Sequence, residues 1–100
     1  MNVPNTIHAR QFLDPQGRIV ESAKLLADEV LTQLAAHDVV TVDLRELRGL
    51  SSSYFNVLLQ RVLPVTTLAD FPRRVQLMFD SPAQEHVYKR SLDFASRTVA

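Results

Sequence analysis

Cysteine and tryptophan are absent from this chain of 100 residues, and glycine occurs only twice. Without cysteine, the chain has no disulfides, no thiolate nucleophile and no cysteine-ligated zinc. The two glycines, Gly17 and Gly49, leave no glycine-rich loop that could cradle a nucleotide phosphate, and the nucleophile motif Gly-x-Ser-x-Gly is missing. The lack of thiols is compatible with a reducing compartment.

An excess of charge of either sign is also lacking. Lys and Arg together number 11, as do Asp and Glu, so the formal net charge is zero. A neutral chain gives no general electrostatic attraction to nucleic acid or to a membrane surface. No apolar run approaches the roughly 20 residues of a membrane span, and the first residues lack the basic and apolar regions of a signal peptide. We therefore expect a cytoplasmic protein with no nucleic-acid and no membrane partner.

Metal-ligating spacing is missing as well. The three histidines, His8, His37 and His86, lie far apart in the sequence, and none has a second ligand one helical turn away. We expect no metal site, no cofactor and no enzymatic activity. The composition is that of an ordinary globular protein, with 46% hydrophobic and 22% charged residues. The length predicts one domain spanning residues 1–100, with its core at about 6–96.

The hydrophobic pattern alternates between strand and helix periods. It predicts strands over residues 6–13, 39–44 and 74–79, and helices over residues 20–37, 52–63 and 82–96. Asp14-Pro15-Gln16-Gly17 has the signature of a type I turn. The strand at 39–44 is β-branched and uncharged until Asp43, which is typical of a strand covered on both faces. Ser81, Pro82 and Gln84 predict a helix start with a capping box.

Strands separated by helices are expected to lie parallel, joined by right-handed crossovers. The predicted fold is therefore a small α/β layer structure. Its sheet has three to four strands, at least two of them parallel, and is packed by about three helices.

Polar residues collect where the strands end, which is where open α/β sheets place their sites. These are Asp43, Asp80, Ser81 and, in the loop between, Arg45, Arg48, Ser51, Ser52 and Ser53. The three serines either cap the following helix or accept a phosphate there, with Arg45 and Arg48 as guanidinium partners. Asp43 either bonds the loop after it, holds a serine hydroxyl or binds Mg²⁺. Of the two rings that follow, we expect one in the core and one half-exposed, and an exposed Tyr54 would suit a partner surface.

Residues 39–59 resemble the central motif of the STAS domain, the sulphate-transporter and anti-sigma-factor-antagonist module. Asp43 matches the aspartate at the end of its strand, and Ser52 falls on its regulatory phosphoacceptor serine. Ser51 stands where the family has a second aspartate, and Tyr54 where it has glycine. The closer resemblance, which includes Gly17-Arg18, is to a STAS-like family of unknown function, and it covers roughly residues 8–95.

The resemblance implies a non-enzymatic regulatory or protein-interaction module with a phosphoserine switch. It also implies a protein partner, a histidine-kinase-like ATPase or an anti-sigma-type protein, at the face of the second helix. Two alternatives from the residues stay open. One is a nucleotide or small-anion binding domain that uses the cleft at the strand ends. The other is a homo-oligomeric structural subunit, for example a homodimer formed through an open sheet edge.

Overall fold

The computed structural model describes residues 6–45, 47 and 50–98 of the chain. The elements follow one another as β1 (Thr6–His8), a short 3₁₀ turn (Ala9–Gln11), α1 (Ile19–Ala36), β2 (Val40–Asp43), α2 (Ser52–Val62), α3 (Phe71–Arg74), β3 (Val75–Met78) and α4 (Pro82–Thr98). The α/β class expected from the sequence is confirmed. Among the described residues, the sheet has three strands, all parallel, and four helices accompany it.

The strands lie side by side in the order in which they occur in the sequence. Thr6 of β1 pairs with Thr41 of β2, and Val40 of β2 pairs with Val75 of β3. Successive right-handed crossovers that step in one direction place their helices on the same face of a sheet. This order predicts a two-layer molecule, with the helices on one side only.

The two faces of the sheet differ as that topology requires. The helix-facing side carries buried apolar side chains, namely Ile7, Val40, Val42 and Val75. On the other side His8 and Gln76 are exposed and Thr41 is half-buried. The expectation that the strand at 39–44 is covered on both faces is therefore wrong. Its β-branched composition reflects strand propensity rather than double coverage.

The first strand is shorter than the pattern predicts, since it ends at His8 instead of continuing to residue 13. His8 pairs with Asp43, and β2 ends at Asp43. In the described part of the chain no partner strand extends beyond that pair, and the residues that follow His8 form the 3₁₀ turn, where Ala9 is fully buried.

The predicted turn before α1 is confirmed and is tied to the first turn of the helix. The Gly17 N–H donates to the Asp14 carbonyl at 2.9 Å, and Gly17 has a φ of +73°. The Arg18 guanidinium donates two hydrogen bonds to the Asp14 carboxylate, which lowers the pKa of that carboxyl. The buried Ser22 hydroxyl accepts from the Asp14 N–H and donates to the Arg18 carbonyl, both at 2.8 Å.

Helix α2 lies at the centre of the helical layer, between α1 and α4. It buries two adjacent faces. Tyr54, Leu58 and Val62 follow one another at intervals of four residues, Phe55 and Leu59 do the same on the neighbouring face, and all five lie in the core. The α1 side contributes Leu26 and Val30. This central position makes α2 the element on which the functional site depends.

Helix α3 is a single turn that the sequence analysis did not predict. It begins with Phe71, which is fully buried, and contains Pro72 in its first turn, where proline fits without loss of a hydrogen bond. Arg73 pairs with Asp38 at 2.8 Å, and Arg74 donates to the Asp38 carbonyl at 2.9 Å. These contacts anchor the start of β3 to the loop that follows α1.

Candidate functional site

Asp43 at the end of β2 organises the loop that follows it. Its carboxylate accepts hydrogen bonds from the Arg45 backbone N–H at 3.0 Å and from the Arg45 guanidinium at 3.1 Å. Its side chain is only 12% exposed, and His8 Nδ1 lies 3.7 Å away. The hydrogen bonds from Arg45 lower the pKa of Asp43. Of the interpretations left open for Asp43, the geometry matches the loop-bonding one.

The start of α2 presents three serines in different environments. Ser51 is the N-cap residue and is half-buried, while Ser52 and Ser53 are exposed. The Ser51 carbonyl accepts from the N–H groups of Tyr54 and Phe55. Its hydroxyl makes no capping hydrogen bond, so the expected capping role is not taken up by the N-cap side chain. Within the described part of the chain, the N–H groups of Ser52 and Ser53 have no acceptor.

Tyr54 and Phe55 are both buried, so the expectation that one of the two rings is half-exposed is wrong. Tyr54 is 2% exposed, and its ring packs edge-on against Phe55 with 5.7 Å between the ring centres. Because α2 lies between α1 and α4, both rings enter the core. The Tyr54 hydroxyl is buried without a hydrogen-bond partner among the described residues, and burial raises its pKa.

One of the two hydrogen bonds of the capping box predicted at the start of α4 is present, and the other is not. The Ser81 hydroxyl accepts from the Gln84 N–H at 3.3 Å, as in a capping box. The Gln84 side chain does not return to the Ser81 backbone, however, and instead donates to the Leu47 carbonyl at 2.8 Å. Gln84 thus connects α4 to the loop after β2. Asp80 lies exposed just before this start, and Arg48 lies outside the described residues.

A cavity of about 410 Å³ opens between the start of α2 and the middle of α4. It is lined by residues of both helices: Ser51, Ser52, Asn56, Val87, Arg90, Ser91 and Phe94. A second, more apolar cavity of about 360 Å³ continues along the same two helices and shares Asn56 and Phe94 with the first. We call the two together the α2–α4 groove.

The structure thus brings Ser51 and Ser52 to a cavity, whereas the other predicted site residues that the structure describes are not in its lining. Asp43 and Arg45 pair with each other at the end of β2, and Ser81 caps α4. Sequence reasoning missed the α4 wall of the groove. The available signal was the helical spacing of Val87, Arg90, Ser91 and Phe94, which places them on one face of α4.

No family model, curated protein or solved structure matches this chain. Among residues 6–45, 47 and 50–98, no cluster of His, Asp and Glu is arranged to hold a metal ion. No helix in that part of the chain is both long and apolar enough to cross a membrane.

Proposed function

We propose that this chain is a non-enzymatic, STAS-like regulatory module of the cytoplasm that binds a partner protein at the start of α2. Phosphorylation of Ser52 switches that interaction. The partner is a histidine-kinase-like ATPase of the anti-sigma type, which also transfers the phosphate. The position of Ser52 carries the proposal, because its side chain is exposed at an uncapped helix N-terminus and also lines the α2–α4 groove.

The environments of the three serines favour Ser52 as the acceptor. Ser51 is half-buried at the N-cap, where a kinase reaches its hydroxyl poorly. Ser53 is exposed, but it is not among the residues that line the groove. Ser52 combines exposure with a place on the groove wall. It also falls on the phosphoacceptor position of the resemblance described above.

A phosphate at Ser52 would change the surface charge without disturbing the core. It adds about −1.5 to −2 charges at pH 7 to a chain whose formal net charge is zero. The charge would lie at the positive end of the α2 dipole, next to N–H groups with no described acceptor, which favours the folded state. The switch therefore acts through charge at the contact surface and not through unfolding.

The place of Ser52 also determines where the kinase must bind. The terminal phosphate of ATP has to reach the Ser52 oxygen, so the ATPase must cover the first turn of α2. The α2–α4 groove begins at this turn, and Phe94 on its opposite wall is 62% exposed. A partner that reaches Ser52 therefore meets the apolar Phe94 side chain on α4, and this side chain adds a hydrophobic contact to the electrostatic one.

Mass spectrometry of the protein isolated from its native cells tests the proposal. Trypsin cleaves after Arg48 and Arg61, so residues 49–61 form one peptide that contains all three serines. We expect a phosphate on Ser52 and co-purification of an ATPase. That ATPase, purified and supplied with ATP, should phosphorylate the wild type and the matched control Ser53→Ala but not Ser52→Ala.

Binding gives a second readout. Ser52→Asp should weaken the purified ATPase complex by about tenfold or more, since a charge within a buried contact costs at least about 1.4 kcal/mol. Ser53→Asp, one residue away and outside the groove, should change it by less than about threefold. The proposal fails if the peptide is unmodified in cells and the ATPase binds Ser52→Asp as well as the wild type.

A further inference from the structure

The first cavity of the α2–α4 groove is lined mostly by polar residues. Ser51 and Ser52 form one wall, Asn56 lies one turn further along α2, and Arg90 and Ser91 face them from α4. Of the two apolar residues in the lining, Val87 lies one turn before Arg90 on α4, whereas Phe94 lies one turn after it and also lines the second, more apolar cavity. A volume of about 410 Å³ falls in the range of sites that hold small organic ligands.

The α2 side of this cavity has the properties of an anion site. The first turn of α2 contains no acidic residue and its N-cap side chain makes no capping bond. Helix α4 differs, since Glu85 lies in its first turn and Ser81 caps it. The positive end of the α2 dipole and the N–H groups of Ser52 and Ser53 are thus left without an anionic or side-chain partner among the described residues.

Ser91 supplies an independent observation on the opposite wall. It is only 4% exposed, and its hydroxyl has no hydrogen-bond partner in the described part of the chain. A serine inside a helix commonly bonds the carbonyl four residues earlier, and Ser91 does not do so. Buried polar groups are normally satisfied, so a lone hydroxyl on a cavity wall indicates a bonding partner supplied from outside.

Arg90 gives the cavity its charge. The neighbouring cations of α4 are neutralised along the helix, Lys89 by Glu85 at 2.9 Å and Arg97 by Asp93 at 2.8 Å. For Arg90 no carboxylate of the described residues lies within ion-pair distance, and no other charged residue lines the cavity. An arginine in this state is suited to paired hydrogen bonds with a phosphate.

We infer that this cavity binds a small phosphate monoester whose organic part is apolar. The phosphate accepts hydrogen bonds from the N–H group of Ser52, from the Ser91 hydroxyl and from the Arg90 guanidinium. The organic part lies against Phe94, where the cavity meets the second, more apolar one. The inference does not rest on the proposed function, because it concerns a free ligand of the unphosphorylated chain.

Titration of the ¹⁵N-labelled protein with phenyl phosphate tests the site. We expect saturable shifts of the Ser52 amide signal, with inorganic phosphate binding about tenfold more weakly because it lacks the apolar part. Arg90→Gln should weaken phenyl phosphate binding at least about tenfold. Its matched control is Arg97→Gln, an exposed arginine of the same helix, which should bind within about twofold of the wild type.

A second pair of variants examines the buried hydroxyl. Ser91→Ala should weaken phenyl phosphate binding by about fivefold, the usual value of one hydrogen bond. Ser96→Ala, an exposed serine one turn later, should not change it. The inference is overturned if the shifts do not saturate, if Arg90→Gln binds like Arg97→Gln, or if inorganic phosphate binds as tightly as phenyl phosphate. None of these results depends on whether Ser52 is phosphorylated in cells.

Discussion

Replacing Tyr54 by Phe should stabilise this protein, although mutations of fully buried residues usually do the opposite. The hydroxyl is buried with no partner among the described residues, while the ring fills the core between α1 and α4. Burying a hydroxyl without a hydrogen bond costs about 1–3 kcal/mol. We therefore expect Tyr54→Phe to raise the free energy of unfolding by about 1 kcal/mol or more. For a domain of this size, that corresponds to a rise in Tm of about 4 °C or more.

The same substitution should flatten the loss of stability at alkaline pH. Burial raises the pKa of Tyr54, and raises that of Tyr88 to about 12. Because these pKa values are raised in the folded state, the tyrosines of the unfolded chain lose their protons at a lower pH than those of the folded chain. The free energy of unfolding is therefore intact below about pH 10 and falls as the pH rises toward the folded-state pKa values. Each tyrosine contributes a slope of about 1.4 kcal/mol per pH unit in that window. Since the chain has two tyrosines, Tyr54→Phe should remove about half of the fall in the free energy of unfolding per pH unit at alkaline pH.

Urea unfolding followed by circular dichroism measures both effects, at pH 7 and at intervals from pH 9 to 12. The matched control is Tyr88→Phe, because the Tyr88 hydroxyl is not among the buried groups without a partner. It should lose the same alkaline slope but leave the unfolding free energy at pH 7 unchanged to within about 0.5 kcal/mol. The reasoning is refuted if Tyr54→Phe is less stable than the wild type at pH 7 with an unchanged m value.

Three further predictions concern the turn before α1 and the two paired aspartates. Ser22→Ala should lower the free energy of unfolding in urea by about 1–3 kcal/mol, since it leaves the Asp14 N–H unpaired in a buried place, and a loss below about 0.3 kcal/mol would contradict this. Gly17→Ala should lower the free energy of unfolding by about 1 kcal/mol, because the φ of Gly17 is +73°, although an added Cβ meets no atom there. A variant as stable as the wild type in the same assay would contradict this. Arg18 and Arg45 lower the pKa of Asp14 and Asp43, so the free energy of unfolding should be intact above about pH 4 and fall as the pH drops through the lower folded-state pKa values. Asp43→Asn should lose less stability than the wild type between pH 4 and 2. An unchanged loss of stability in that range would count against the Asp43–Arg45 pair.

Elements with strong local signals could be predicted from the sequence. The stripe that includes Leu26 and Val30 marked α1, and the Asp14–Gly17 turn placed its start within a residue or so. The length of β1 could not be predicted, because it depends on where its partner β2 ends. The single turn at Phe71 was missed because one turn is too short to show a helical period.

The site was predictable only on its α2 side. Ser51 and Ser52 stood out through the repeated serines at a helix start, but their neighbours on α4 depend on how two helices pack. Tyr54 was misplaced for the same reason. A single amphipathic stripe predicts one buried face, whereas a helix between two others buries a wider arc. Arg90 and Ser91 carry no motif, and their importance arises only from what lies opposite them.

The order of the strands also bears on how the chain folds as it is synthesised. Each strand joins the sheet at the edge left open by the strand before it, so its pairing partner has already left the ribosome. No later segment has to insert between two strands that are already paired. The first βαβ unit, β1 through β2, can close before α2 is complete, and its free β2 edge then serves as the template for β3. Assembly thus follows the direction of translation.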